Sequence, residues 1–261
     1  MIYGRQKGAL TKQMADKVSV VIPVRNAEKF ILDTVNSVLN QTYDNFEILL
    51  CENDSVDSTK EIITGLKDPR IKLLFLENVN DAAGARNAGV EAASGRYIAF
   101  LDADDIWKKD KLEKQINFMS RENTAFCFTG YEFADESAKP LGKIVKVPLN
   151  ISYEEALRNT TIFTSTVMFD MSVLNKEHIK MPNIKSEDTA LWWQLLRNGV
   201  KASGLDENLV LYRRPSKSLS SNKFEAIKRI WNLYRNWEHL SVPKSAVCFI
   251  GWAVRAVLRR I

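Results

Sequence analysis

Between residues 18 and 101, short apolar runs alternate with stretches whose apolar residues recur every three or four positions. Val18-Ser-Val-Val-Ile22 is short, almost uniformly apolar and closed by Pro23, which predicts a buried strand. Residues 27–40 place Phe30, Ile31, Val35, Val38 and Leu39 on one helical face, with Glu28 near the start. A second strand is predicted over Phe46–Cys51, and a helix over 58–66 with Asp57 as its N-cap. Ile71–Leu76 is a third strand, Ala82–Ala93 an Ala-rich helix stopped by Ser94-Gly95, and Tyr97–Leu101 a fourth strand. Such alternation with short connections predicts an α/β fold, a mostly parallel sheet flanked by helices. Ligands of such sheets lie beyond the carboxyl ends of the strands, and polar clusters follow Ile22, Cys51 and Leu101.

Beyond residue 125 the pattern is mixed. Phe126–Phe133 and Lys143–Val147 predict antiparallel strands around a loop, and Thr166–Phe169 a short strand. Residues 188–197 predict a helix with Leu191, Trp192, Leu195 and Leu196. Residues 224–240 predict a long one bearing Phe224, Ile227, Ile230, Trp231, Tyr234 and Trp237. This divides the chain into an N-terminal extension (1–17), a central domain (18–221, with halves at 18–105 and 106–221) and a C-terminal region (222–261).

Composition adds limits. Of the 261 residues, 45% are hydrophobic and 26% charged, which excludes wholesale disorder. Three scattered cysteines with no CxxC pair argue against a disulfide framework and structural zinc, and fit a reducing, cytoplasmic setting. No apolar leader is expected before Lys17, and no apolar run is long enough to span a bilayer. From Asn222 onward eight basic residues face two acidic ones, so the positive charge belongs to the tail. The remainder is nearly neutral, which disfavours a nucleic-acid binder.

The candidate chemistry lies at three strand ends. Asp102 and Asp104, spaced i and i+2 in extended chain, can converge on one ligand. Two carboxylates alone make a poor cage for Mg²⁺ or Mn²⁺, but suit one whose other ligands are water and diphosphate oxygens. An acidic turn capping the next helix is the competing reading. Arg86, in Gly84-Ala-Arg-Asn87, could offer a planar cation to a diphosphate, although Ala-rich helices also pack tightly without any ligand. Glu52-Asn-Asp-Ser-Val-Asp57 supplies acceptors suited to a uracil edge or a ribose, and Arg25-Asn26 completes the same edge.

Five segments occur in an order that resembles family 2 glycosyltransferases of the GT-A fold. They are residues 18–26, Glu52-Asn53-x-Ser55-x-Asp57, Ala85-Arg86-Asn87-x-Gly89, Asp102-x-Asp104-Asp105, and Glu187-Asp188 before a Trp-rich helix. The resemblance covers roughly residues 17–223 and is nearest to bacterial enzymes of surface-polysaccharide synthesis, of the teichuronic-acid type. It implies an inverting transfer of sugar from a nucleotide-diphosphate donor, with UDP expected, to a saccharide or lipid-linked acceptor. It further implies that Val21, Ile22, Pro23, Val24, Arg25 and Asn53 form the base pocket, with Glu52 as a further substrate contact. Arg86 and Asp102, with Ala103 between the aspartates, would meet ribose and diphosphate, and Asp104 with Asp102 would bind Mn²⁺ or Mg²⁺. Asp188 would be the general base; the competing reading is that Glu187-Asp188 cap the 188–197 helix, although Ser186 could be the actual cap and free Asp188. Asn53 stands where the more common motif is acidic, and Pro215 where related enzymes often have His; Arg213, Arg214 or Lys217 would then neutralise the diphosphate. Trp192 and Trp193 are placed where an acceptor sugar could stack, with one of the two expected in the core.

Other classes remain to be weighed. A sugar-nucleotide pyrophosphorylase would show a Gly-rich loop after the first strand, and Pro23-Val-Arg-Asn26 has no Gly. A non-catalytic nucleotide-sugar binder or scaffold would need no base. Two roles are open to the tail. The ten uncharged residues Ser245–Val254, followed by arginines, could lie at the surface of the inner leaflet with Trp252 at headgroup depth. Alternatively, both tail helices pack on the catalytic domain or on a second subunit, as in a homodimer.

Overall fold

The computed structural model describes residues 16–77, 79, 81–159, 161–214 and 223–258. Most of the N-terminal extension, Pro215, Lys217, Ser218 and Arg259-Arg260 lie outside them. Strands β1 (Val18–Val24), β2 (Phe46–Asn53), β3 (Ile71–Leu76) and β4 (Tyr97–Phe100) pair in parallel, order β3-β2-β1-β4. Helices α1 (Ile31–Leu39), α2 (Thr59–Thr64) and α3 (Ala82–Ala92) connect them. The sheet continues through β9 (Met168–Asp170), β6 (Phe126–Ala134), β10 (Ala202–Arg213) and β5 (Ile106–Trp107). β9 and β5 run antiparallel to their neighbours, while β10 and β6 pair in parallel. The hairpin strand β7 (Pro140–Val145) pairs with β6, and β8 (Asn150–Ile151) with β10. The sheet is thus parallel in its first half and mixed in its second.

Alternation along β1 explains the layers. Val18, Val20, Ile22 and Val24 pack in one core with Ile31, Val35 and Val38 of α1. Val21 faces the other way, with Leu49, Cys51 and Ala83 and Ala85 of α3. Gly89 permits that second contact. A Cβ there would sit 2.4 Å from Val21 Cγ1 and 2.8 Å from the Cys51 sulfur, closer than any side chain is tolerated. Arg86, one helical turn earlier, is thereby held against the sheet.

One polar cluster lies within this packing. The Glu47 carboxylate, 2% exposed, accepts from Ser19 Oγ at 2.6 Å and Ser94 N–H at 2.9 Å, and pairs with Lys17 at 2.8 Å and Lys72 at 2.7 Å. Burial would raise its pKa, but the two ammonium groups and the serine donors outweigh it and hold it well below the ordinary carboxylate range. Glu47→Gln is therefore expected to cost about 2 kcal/mol in urea denaturation at pH 7. Because the folded pKa is depressed, the contribution is full above the unfolded value, about 4.3, and is lost as pH falls through the folded one. The gap between wild type and variant should close in acid.

Several local expectations need correction. α1 begins at Ile31, and Glu28 leaves its start to accept the Ser58 N–H at 3.0 Å. Ser58 occupies the cap position of α2, while Asp57 takes the Thr59 N–H at 3.0 Å. The strand expected at 166–169 is a 3₁₀ turn, Thr164–Thr166, followed by β9. Helices α4 (Lys111–Glu122) and α5 (Tyr153–Ala156), with β5, β8 and β10, fall where the pattern assigned nothing. β10 is broken by register shifts between Leu205, Asn208 and Val210, and its polar bulge hides the alternation.

The single helix expected over 224–240 is α7 (Lys223–Asn232) followed by a π-helical turn, Leu233–Trp237; after it comes α8 (Val242–Leu258). Both dock on the domain. Tyr234 is fully buried and stacks on Trp193 at 5.2 Å, and Arg197 pairs with the buried Glu238 at 2.7 Å. Trp252, expected at headgroup depth, instead packs against the core beside Phe249. Among the described residues no helix is long and apolar enough to cross a membrane.

Candidate active site

Parallel pairing brings the carboxyl ends of β1, β2 and β4 to one edge, with Val24 beside Glu52 and Val21 beside Phe100. The loops after β1 and β2 are tied together there. The Asn26 backbone, at φ +50°, turns so that its N–H reaches Ser55 Oγ at 3.0 Å, while its Oδ1 accepts the Val56 N–H at 2.9 Å. The Ala27 N–H donates to Thr59 Oγ1 at 2.7 Å. The result is a cavity of about 440 Å³. Pro23, Val24, Arg25 and Asn53 line it from the two loops, Arg86 from α3, and Asp102, Ala103 and Asp104 from the end of β4. Asn53 Oδ1 is buried with no hydrogen-bond partner among the described residues.

The acidic segment is fixed from three directions. Thr34 Oγ1 lies 2.9 Å from the carbonyl oxygens of both Ala103 and Asp105. The Asp102 N–H donates to Ser165 Oγ at 3.0 Å, and that hydroxyl donates to Asp105 Oδ2 at 2.5 Å. Asp105 Oδ1 accepts the Arg213 backbone N–H at 3.0 Å. Asp105 is fully buried, and burial together with the Asp104 and Asp102 charges pushes its pKa well up. Asp104 is pushed up to about 6 by burial and by Asp102, against the opposing charge of Arg213.

Arg86 links this segment to a distant helix. Its guanidinium pairs with Asp102 at 2.6 Å and with Glu187 at 2.9 Å. Burial alone would weaken its hold on a proton, but the Asp102, Glu187 and Asp188 carboxylates outweigh it, so it stays charged. Glu187 and Asp188 open α6 (Glu187–Arg197). Ser186 stands at the cap position with φ +62°, and its hydroxyl makes no capping bond, contrary to expectation. Asp188 Oδ2 accepts from Thr164 Oγ1 at 3.0 Å and Oδ1 from its neighbour's Thr189 N–H at 2.6 Å. Burial and Asp188 raise the pKa of Glu187, and Arg86 opposes them.

Three expected substrate contacts are not presented to the cavity. Glu52 is 2% exposed and its carboxylate accepts the Ser55 N–H at 2.7 Å, so it shapes the loop instead of reaching a ligand. Trp192, 3% exposed, packs between Phe126 and Phe169, which leaves no face for a sugar; Trp193 is buried too. Arg213, 1% exposed, lies over the Phe30 ring at 4.7 Å and bonds Asp33 at 3.2 Å, so its charge reaches the site only through Asp104. Asp81 joins the site without having been expected there. It lines the cavity and caps α3 by accepting the Gly84 N–H at 2.8 Å, a role its place before an Ala-rich helix signals. Thr164 and Ser165 carry no such local signal.

Hard oxygen donors at the cavity floor fit Mn²⁺ or Mg²⁺, and the mutual repulsion of Asp102 and Asp104 favours a cation between them. Among the described residues no group of three or more His, Cys, Asp or Glu could hold a metal, so further ligands must come from a substrate or water.

Comparison with known proteins identifies the family and the fold. The chain is 43% identical over 247 residues to the provisionally named teichuronic acid biosynthesis glycosyltransferase TuaG of Bacillus subtilis, covering 94% of this chain and 97% of that one. It is 42% identical over 217 residues to the Escherichia coli WfgD, a UDP-Glc:α-D-GlcNAc-diphosphoundecaprenol β-1,3-glucosyltransferase, covering 83% and 84%. Among solved structures, S. aureus TarS 1–349 with UDP-GlcNAc matches at a TM-score of 0.69 and 19% identity, over 92% of this chain and 72% of that one. A Pyrobaculum calidifontis mannosyltransferase with GDP-Man and Mn²⁺ matches at 0.68 and 15% identity, over 94% and 71%. These likenesses show the fold, the GT-A type expected from the sequence. Residues 19–180 match the family described as Glycosyl transferase family 2, and the chain therefore belongs to that family and is a glycosyltransferase.

Proposed function

We propose that the protein transfers a sugar, with inversion, from a UDP-sugar to a hydroxyl of a saccharide carried on a lipid diphosphate, in the synthesis of a cell-surface polysaccharide. The observation that carries this is the pair Asp102 and Asp104 on the floor of a cavity walled by the β1 and β2 loops and Arg86. The relatives named above support the donor and acceptor classes. Asn53 Oδ1 is the acceptor a uracil N3–H requires, with Pro23 and Val24 beside it. Arg86 and Asp102 face ribose and diphosphate. A divalent cation held by Asp104 and Asp102 supplies stabilisation of the charge that gathers on the leaving diphosphate. Asp188, oriented by Thr164, takes the proton of the attacking hydroxyl as its oxygen displaces the nucleotide at the anomeric carbon. Release of that proton to a positioned carboxylate makes a sugar hydroxyl a competent nucleophile near neutral pH.

The test combines donor and metal. A panel of UDP-sugars should include one that gives Mn²⁺-dependent donor hydrolysis and thermal stabilisation; no response to any nucleotide sugar would overturn the reading. Calorimetric titration of Mn²⁺ in the presence of UDP should also depend on pH. Below about 6 a proton on Asp104 competes with the metal, so affinity should fall about tenfold per unit and level off above pH 7. The same affinity and pH response in Asp104→Asn would exclude Asp104 as the ligand.

A further inference from the structure

A second cavity, of about 310 Å³, opens between β7 and α8, apart from the donor cavity and sharing no residue with it. Its lining includes Lys143, Lys146 and Arg255, together with Asn159 and Thr161, and no carboxylate. Lys143 Nζ is shut off from solvent and has no hydrogen-bond partner among the described residues. A buried ammonium without a counter-charge is unfavourable, and an anion in the cavity would satisfy it. Among the described residues Arg255 donates once, from Nη1 to the Arg158 carbonyl at 3.1 Å, and a guanidinium has five N–H groups to give. Glu155 is the acidic group that feels Arg255, but its carboxylate is engaged by the Ser152 N–H and hydroxyl in the cap of α5.

Two further observations say what kind of anion fits. The first is the apolar surface beside the cavity. Val247, Ile250 and Val254 form one face of α8 and are 54%, 63% and 53% exposed, while Ser245 and Cys248 on the opposite face are fully buried. Ile144, in the cavity wall itself, is 52% exposed. The second is the position relative to Asp188. Thr161 lines the cavity, and Thr164, three residues on, donates to Asp188 Oδ2. Three residues of chain reach at most about 11 Å, a span that one or two sugar units can bridge.

We infer that this cavity holds the diphosphate of a lipid-linked acceptor, with the lipid chain and its bilayer lying along the exposed face of α8. The inference rests on the lipid-diphosphate reading of the acceptor given above. Lys143, Lys146 and Arg255 neutralise the diphosphate, Asn159 and Thr161 offer it further hydrogen bonds, and the saccharide runs from there toward Asp188. The apolar face of α8 gives the lipid chain a surface, and the basic excess of the tail, eight basic residues against two acidic, favours an anionic membrane.

Farnesyl diphosphate, farnesol and inorganic pyrophosphate serve as probes, titrated into the full chain with the donor cavity filled by UDP and Mn²⁺. Farnesyl diphosphate should bind one per chain under these conditions, at least tenfold more tightly than farnesol or pyrophosphate. Lys143→Met and Arg255→Gln should each weaken it by about tenfold or more, the effect of losing one charge-assisted contact. Should Lys143→Met melt early, Lys146→Gln at the exposed rim gives the same readout. Unchanged affinity in the variants, displacement by UDP, or pyrophosphate binding as tightly as the lipid would each overturn the site. Binding of UDP with Mn²⁺ is measured separately in wild type. Its absence would sink the donor reading while leaving the farnesyl diphosphate result to stand or fall alone.

Discussion

Asp104→Ala is expected to lower sugar transfer by about 10²–10³-fold or more, by removing the carboxylate proposed to bind the metal, while the fold persists. The side chain is half-buried at a strand end, and its pKa is pushed up to about 6 by burial and by Asp102. A raised folded pKa means that ionised Asp104 weakens the metal-free fold at neutral pH. The variant should therefore melt no lower than wild type at pH 7 without metal. The sign can be checked across pH. Any advantage of the variant should vanish below about pH 4, where the carboxyl is protonated in both states, and grow as pH rises through 6. Initial rates over a Mn²⁺ series decide the role, and full activity of the variant at limiting metal would exclude it.

Asp188→Asn is expected to cut transfer by about 100-fold or more with little change in UDP-sugar binding. The amide keeps the shape of the carboxylate; its oxygen can still accept the Thr189 N–H and its NH₂ can donate to Thr164 Oγ1, so the start of α6 should hold. It cannot take up a proton. Binding is read by calorimetry and transfer by product formation in the same preparation. A parallel loss of both would make Asp188 a structural member of the Arg86 cluster, since its charge also acts on that guanidinium.

How much could be read beforehand follows from how local each signal is. Strands β1 to β4 are short apolar runs between amphipathic helices, so their period and parallel order were legible. Asp102 and Asp104 were legible for the same reason, because an i, i+2 pair after a strand is a local pattern. The second half depends on pairings between distant segments. β10 conceals its period behind a bulge, and with it went the true position of Arg213, inside the sheet and over Phe30. Asp105 looked like one more acid of the motif, whereas it is the buried acceptor joining Ser165 to Arg213. Apolar spacing cannot say which of two adjacent tryptophans faces out, and here neither does.

The three-way tie at Asp105 also bears on how the chain is made. β1 through β4 pair through connections of ordinary length, whereas Phe126 must find Ala202 before β6 and β10 can form their ladder. Loop closure over such a separation is slow compared with assembly of the first half. On a ribosome, the loops that face the donor can therefore take shape while Ser165 and Arg213 are still unmade or undocked. Until the last strand slides in beside β6, Thr34 alone of these three ties holds the acidic turn. A truncated or stalled chain would display the cavity with its acidic turn anchored on one side only.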